Sequence, residues 1–315
     1  MRPLTIAHIS DLHLSAEYNR KNCTNSRRVL EYIARLGVDH VVLTGDIAAN
    51  AEPSDFKVAR NLLDSFGLLN PSRLSVVIGN HDIFGGVHVA EDILSFPKRC
   101  KHTDYERKVE EFREHFREAF QHSFFVSPVN PFPYAKVVGD VLFVGLNTVA
   151  RYSRIGNPLG SNGEVEADQI GRLKTIMGAD VFRGRRKIVL LHHHFSKSAM
   201  SGAGAVHSVW GAIEKQTMKL RGKKPLLKIF RHRDVDLVLH GHLHESMEYV
   251  RRGVRCLNAG GTVMGPEPGQ LSVNILRVGA EGVGVSIHRL GAEEGKRRAL
   301  AAPATLVESG DQMAA

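Results

Sequence analysis

Cysteine is scarce. Cys23, Cys100 and Cys256 are the only three in 315 residues, they are scattered, and their number is odd. That usage excludes a disulfide framework and fits a reducing compartment, so a cytoplasmic location is expected. No apolar run reaches the roughly 20 residues of a membrane span. The first apolar stretch, residues 4–9, is short and interrupted by His8, so no secretory leader is expected. Aromatic residues make up 7% of the chain, and none is interleaved with the basic clusters at 183–187, 219–228 and 296–298. That argues against a stacking platform for single-stranded nucleic acid. A surplus of acidic charge is missing too. The net charge of +9 favours anionic partners: phosphate esters, nucleic acid or the surface of an anionic membrane, the last by peripheral contact.

What is present is ordinary globular composition, 43% hydrophobic and 24% charged, with an excess of histidine at 17 residues. The length suits one large α/β domain carrying an insertion. Residues 4–9 read as a buried strand ending in Asp11-Leu12-His13. Residues 26–36 carry apolar positions at helical spacing and stop at Gly37. Residues 41–43 form a second strand ending in Gly45-Asp46. Residues 53–63 form a helix opened by Pro53 and Ser54. Residues 74–78 form a third strand ending in Gly79-Asn80-His81-Asp82. Strand and helix alternate, which implies parallel pairing.

Residues 84–133 break this rhythm and read as a helical insertion. Thr103 and Glu106 have the spacing of a capping box. Tyr105, Val109, Phe112, Phe116 and Phe120 then share a helical face, which either packs on the domain or lines a substrate cleft. Residues 134–146 read as a hairpin turning at Gly139-Asp140. A helix is expected over 163–177 and a strand over 187–191, running into His192-His193-His194. Helices are expected over 206–219 and 226–232. A strand over 235–239 runs into His240-Gly241-His242-Leu243-His244. Short strands at 254–257, 271–276 and 284–290 complete a domain of residues 1–290, and 291–315 is expected to be a disordered tail.

Five strand ends thus carry metal-type ligands: Asp11 with His13, Asp46, Asn80 with His81, the 192–194 histidines, and His242 with His244. Parallel strands bring such ends to one sheet edge. Asp11 and His13 lie two apart, so in an extended segment they point the same way. Carboxylate, amide and imidazole donors suit Mn, Fe or Zn, and the lack of cysteine ligands argues against a structural zinc site. Seven converging groups exceed the needs of one ion and fit two metals sharing a carboxylate, typically ~3.5–4 Å apart.

These blocks, in this order and each after a strand, resemble the signature of the calcineurin-like metallophosphoesterases, particularly the small bacterial phosphodiesterases. Two softer features agree. Residues 163–173, with Gln169 and Leu173, resemble the helix before the fourth block, and Asn258-Ala259-Gly260-Gly261 resembles the turn after the last. The resemblance implies a four-layer α/β/β/α sandwich with two mixed sheets. It implies a phosphodiesterase or phosphatase activity using a hydroxide that bridges two metals. Asp11, His13, Asp46 and His244 would hold the first metal, and Asp46, Asn80, His192 and His242 the second. His81 would serve as general acid, with Asp82 orienting it. The family also includes pyrophosphatases of lipid-linked nucleotides such as UDP-diacylglucosamine, and nucleases. The aromatic stripe and the basic clusters keep the pyrophosphatase as an alternative, and the net charge keeps the nuclease.

Each residue also has a plainer role open to it. Asp46 can cap a helix, Asn80 can serve a turn, and His81 can be structural. Among the three consecutive histidines, alternation puts His192 and His194 on one side and His193 on the other. The family uses the first after the strand, which selects His192, although its usual prolines are replaced here by His194-Phe195. His240 reads as a strand-end residue. His88, His102, His115 and His207 read as surface residues.

Overall fold

The computed structural model describes residues 2–88, 90–125, 130–196, 220–265, 269–291 and 307–308. Two mixed sheets make up the body. In the first, β1 (Leu4–Ile9), β2 (His40–Thr44) and β3 (Leu74–Val77) run parallel, with β11 (Leu271–Gly279) antiparallel to β1 and β12 (Gly282–Leu290) antiparallel to β11. The second holds eight strands in the order β13-β9-β10-β8-β7-β6-β5-β4. These are β4 (Phe124–Phe125), β5 (Tyr134–Val138), β6 (Val141–Gly145), β7 (Arg186–Leu190), β8 (Leu237–His240), β9 (Ser246–Arg251), β10 (Val254–Ala259) and β13 (Val307–Glu308). Strands β6, β7, β8 and β10 are mutually parallel, which brings their C-terminal ends to one edge.

Alternation along the strands builds the layers. Ile188 and Leu190 of β7, with Phe143, Leu237 and Leu239, join the core shared with the first sheet, where the His40 and Phe143 rings stack at 5.0 Å. Val189 and Leu191 face the other way, into a second core with Leu173 and Ile176 of α7 (Ala167–Gly178) and Leu226, Leu227 and Phe230 of the helix Lys223–His232. Helices α1 (Arg20–Leu36) and α2 (Pro53–Asp64) cover the first sheet through Val29, Leu30, Ile33, Phe56, Ala59 and Leu63. The result is the expected α/β/β/α sandwich.

Several boundaries differ from the sequence reading. Helix α1 begins at Arg20 rather than 26, so the loop after β1 is short. Helix α7 begins at Ala167 rather than 163, because Gly163 is used in bridges to Val149 and Leu220. The helix expected over 206–219 lies outside the described residues. So does most of the tail, within which Val307 and Glu308 pair in parallel with Tyr249 and Val250.

The short α3 (His81–Phe84) leads into the insertion, which contains α4 (Ala90–His102), α5 (Tyr105–His115) and α6 (Arg117–Phe120). The capping box at Thr103 does not form. Thr103 donates its hydroxyl to Arg99 O, closing α4, and Asp104 caps α5 by accepting from Arg107 N at 3.1 Å. The aromatic stripe bends where the helix breaks at Phe116 and then packs inward. Val109, Phe112, Phe116 and Phe120 are all buried, and Phe112 and Phe116 lie edge-on to Phe56 of α2 at 6.1 and 6.0 Å. The stripe is therefore core, not the lining of a cleft.

One buried cation ties these parts together. Lys136 of β5, 1% exposed, donates to Leu74 O at 2.9 Å, Pro71 O at 3.1 Å and Ala119 O. Three carbonyls satisfy its three N–H groups, yet burial still pushes the amine down to about 7. The unfolded chain, with an ordinary lysine, then binds more protons than the folded one above that value. Folding stability should accordingly rise between pH 7 and 10, by at most about 1.4 kcal/mol per unit. Urea melts of wild type and Lys136→Met over this range check the point. The wild type should show the rise, and the variant should lose that component.

Candidate metal centre

The site forms where loops from both sheets meet, and its backbone is unusual. Asp11, His13, Asp46 and His242 all adopt positive φ, at 55°, 43°, 51° and 72°. Non-glycine residues seldom do so, and such strain concentrates at functional sites. It also corrects the reasoning for Asp11 and His13. They converge because each turns out of the strand into left-handed backbone, not because an extended segment alternates. Their N–H groups donate to Gly45 O at 3.1 Å and Asp46 O at 3.0 Å, which locks the first loop onto the second.

The carboxylates are buried and engaged. Asp11 accepts from His242 N at 3.0 and 3.2 Å through its two oxygens. Asp46 Oδ1 accepts from His81 N at 2.8 Å, and its Oδ2 lies 3.3 Å from His192 Nε2. That same nitrogen lies 3.1 Å from Asn80 Oδ1 and 3.1 Å from His242 Nδ1. The other nitrogen of His192 meets Thr44 O at 2.8 Å. His192 is thus the member of the histidine run that reaches Asp46 and Asn80.

Three groups of donors lie within 4.8 Å of one another: Asp11 with His13 and His244, Asp46 with His192 and His242, and His13 with Asp46 and His81. The last places His13 close to Asp46 and so joins the first two. His13 Nε2 and His242 Nε2 are buried with no hydrogen-bond partner. Burial, followed by neighbouring imidazoles, pushes both rings well below the usual histidine range, so both are neutral. A neutral imidazole close to a carboxylate is the form that ligates a metal. His192 behaves oppositely. Burial works against its charged form, but Asp46 and then Asp11 hold it up to about 9. The pocket between these carboxylates favours positive charge. The donor set therefore fits divalent cations.

Two glycines permit this density. A Cβ on Gly79 would sit 2.2 Å from Asp46 N and Oδ1, and one on Gly241 would sit 1.9 Å from Ser10 Oγ and 2.4 Å from Asp11 Oδ2. At Gly79 the backbone and carboxylate of Asp46, and at Gly241 the side chains of Ser10 and Asp11, occupy the space a side chain would need.

His81 packs edge-on to His13, with ring centroids 4.5 Å apart, and its Nδ1 lies 3.1 Å from Ala49 O. Asp82 is placed differently from the expectation that it orients His81. Its carboxylate accepts from Ala48 N at 2.8 Å and Gly79 N at 2.9 Å, bracing the Asp46 loop against the Asn80 loop. Burial, followed by the nearby Asp46, pushes Asp82 up to about 8. His240 is a strand-end residue held by Tyr249 Oη at 2.8 Å. His88, expected on the surface, is partly buried beside Tyr18, the rings stacking at 4.9 Å.

The sequence reading missed Thr148 and Thr262. Thr148 Oγ1 accepts from the N–H groups of His192 at 3.3 Å and His193 at 3.2 Å, and pairs with His193 Nδ1 at 2.9 Å. Thr262 Oγ1 accepts from Ser10 N at 3.0 Å. Thr148 follows a buried strand end, as the other site residues do, and that position was the available signal.

Comparison with known proteins agrees with this geometry. A family model described as calcineurin-like phosphoesterase matches residues 4–246. A curated cAMP/cGMP dual specificity phosphodiesterase of Mycobacterium tuberculosis (strain CDC 1551 / Oshkosh) is 24% identical over 248 residues. The match covers 76% of this chain and 62% of that relative, so the chain spans less than two thirds of its length. A dimetal phosphatase from Danio rerio superposes with a TM-score of 0.56 at 14% identity, covering 92% of this chain and 96% of the other. The purple acid phosphatase PPD1 of yellow lupin seeds gives 0.57 at 12% identity, covering 97% and 54%. At these identities the two solved structures speak to the fold. Among the described residues no helix is long and apolar enough to cross a membrane.

The glycine argument has a direct test. Gly79→Ala should keep the fold by circular dichroism and weaken Mn²⁺ binding at least about tenfold by calorimetry, the effect of a supporting contact on metal affinity. Unchanged affinity would show that the Asp46 turn tolerates a side chain there.

Proposed function

Since the chain belongs to the calcineurin-like phosphoesterase family, we propose that it hydrolyses phosphoric esters at a two-metal site. The proposed ligands are Asp11, His13, Asp46 and His244 for one ion, and Asp46, Asn80, His192 and His242 for the other. The observation that carries this reading is the pair of donor triads joined by the closeness of His13 to Asp46. The oxygen and imidazole donors suit Mn, Fe or Zn. Divalent ions held there supply Lewis acidity and an activated water.

The chain's own groups do the rest. With Nδ1 of His81 directed at Ala49 O, its Nε2 is left to face the His13 and Asp46 side of the site. A proton held at that nitrogen passes to the departing ester oxygen. Ala49 O stabilises the imidazolium before transfer by accepting from its other N–H. Asp82 acts at one remove, keeping the Asp46 and Asn80 loops together.

A phosphodiester is the substrate class we favour. The phosphodiesterase named for the curated relative supports it. The alternative of a lipid-linked nucleotide drew on the aromatic stripe and the basic clusters; the burial of Phe112 and Phe116 takes away the first of these and leaves the basic clusters as its support. Nuclease activity has only the net charge in its favour. Three free cysteines fit the cytoplasm, the location we favour.

Replacing His81 by alanine should leave metal content unchanged and lower kcat by ~10²–10⁴-fold on alkyl phosphodiesters. Nitrophenyl esters, whose leaving group needs little protonation, should lose much less. Equal losses on both would make His81 an electrostatic residue rather than the proton donor.

A further inference from the structure

His81 is held from two sides. His13 lies edge-on against one side, and the backbone of Gly86 lies against the Nδ1–Cε1 edge. A Cβ on Gly86 would sit 2.6 Å from His81 Cε1 and 2.7 Å from Nδ1. Gly86 belongs to a short strap, residues 85–88, that leaves α3 through Gly85 in left-handed backbone at φ 74°. Four contacts fix the strap. Asn50 Oδ1 accepts from Gly86 N at 3.4 Å, and Arg99 donates from its Nη2 to Gly86 O. Asp92 accepts from His88 N at 3.0 Å, and the His88 ring stacks on Tyr18 at 4.9 Å with an 8° tilt.

Two of these anchors, Arg99 and Asp92, come from α4 of the insertion, and a third, Tyr18, comes from the loop after β1. The Arg99 guanidinium also lies 4.7 Å over the Phe96 ring, and Phe96 is itself core. The insertion is thereby connected to His81 through one carbonyl, from Phe96 to Arg99 to Gly86 to the imidazole edge. A ring confined between His13 and Gly86 has one position in which its Nδ1 meets Ala49 O.

We propose that the 85–88 strap and its anchor Arg99 position His81 for proton transfer, which gives the helical insertion a role in the reaction. The proposal rests on the reading of His81 as proton donor. Arg99 touches neither the reacting atoms nor the proposed metal ligands, so it is a positioning residue. Loss of its anchor frees the strap and lets the imidazole rotate away from Ala49 O. Proton transfer is sensitive to such displacement, so the cost falls on esters that need a proton and on kcat rather than KM.

The test compares wild type, Arg99→Ala, Arg99→Lys, Gly86→Ala and His81→Ala, all metal-loaded, on an alkyl phosphodiester and a nitrophenyl phosphodiester. Arg99→Ala should retain its metal content and melting temperature. It should lose about tenfold in kcat on the alkyl ester and little on the nitrophenyl ester, with KM unchanged on both. Arg99→Lys, which can still donate to Gly86 O, should recover most of the rate. Gly86→Ala places a methyl against the ring and should show the same selectivity more strongly. If His81→Ala is selective and neither Arg99→Ala nor Gly86→Ala is, the positioning role is overturned and the proton donor stands. If His81→Ala itself loses rate equally on both esters, both are overturned.

Discussion

The site depends on one contact between distant parts of the chain. The backbone N–H of His242 donates to the carboxylate of Asp11, at 3.0 and 3.2 Å to its two oxygens, although 231 residues separate them. Asp11 is fully buried, and a buried carboxylate is costly unless it is paired. The first sheet supplies Asp11 from the end of β1, and the second supplies His242 from the end of β8. Satisfying that one carboxylate fixes how the two sheet edges meet. Gly241 makes the approach feasible, since any side chain there would collide with Ser10 and Asp11.

The same economy of space recurs around Asp46. The loop that carries it is braced by Asp82, which spans Ala48 N and Gly79 N, while the Asp46 carboxylate receives the His81 N–H and faces His192. Four positive-φ residues at the donor loops show what this packing costs in backbone energy, roughly 1–3 kcal/mol each. The two sheets and their flanking helices hold those loops in conformations the chain would not adopt alone. The buried, unpartnered Nε2 of His13 then lies 4.0 Å from Asp11 Oδ1, a gap suited to a cation, and Nδ1 of His242 lies beside His192 Nε2 next to Asp46. Sites of this kind trade folding stability for preorganisation.

Much of this was legible in residue order. Apolar runs ending in Asp46, Asn80, His192 and His242 announced strands delivering polar groups to one edge, and the structure joins them there. What stayed hidden was chiefly tertiary. Nothing in the spacing of Asp11 and His13 revealed left-handed backbone, because the turn is imposed by Gly45 O and Asp46 O in the next loop. The role of Asp82 was invisible because its partners are backbone N–H groups of two separate loops. The Thr103 signal was real but spent on α4, one residue before the true cap at Asp104. The aromatic stripe had correct periodicity, yet periodicity cannot say whether a face meets core or ligand. Phe56 of α2 decided that.

The central claim is that Asp46 joins two metal positions in one centre. Elemental analysis of protein loaded with Mn²⁺ and freed of excess ion tests it most directly. Wild type should approach two equivalents per chain, and Asp46→Ala should lose both while remaining folded. A wild-type stoichiometry that stays at one, or an Asp46→Ala protein that still holds two, would contradict the account.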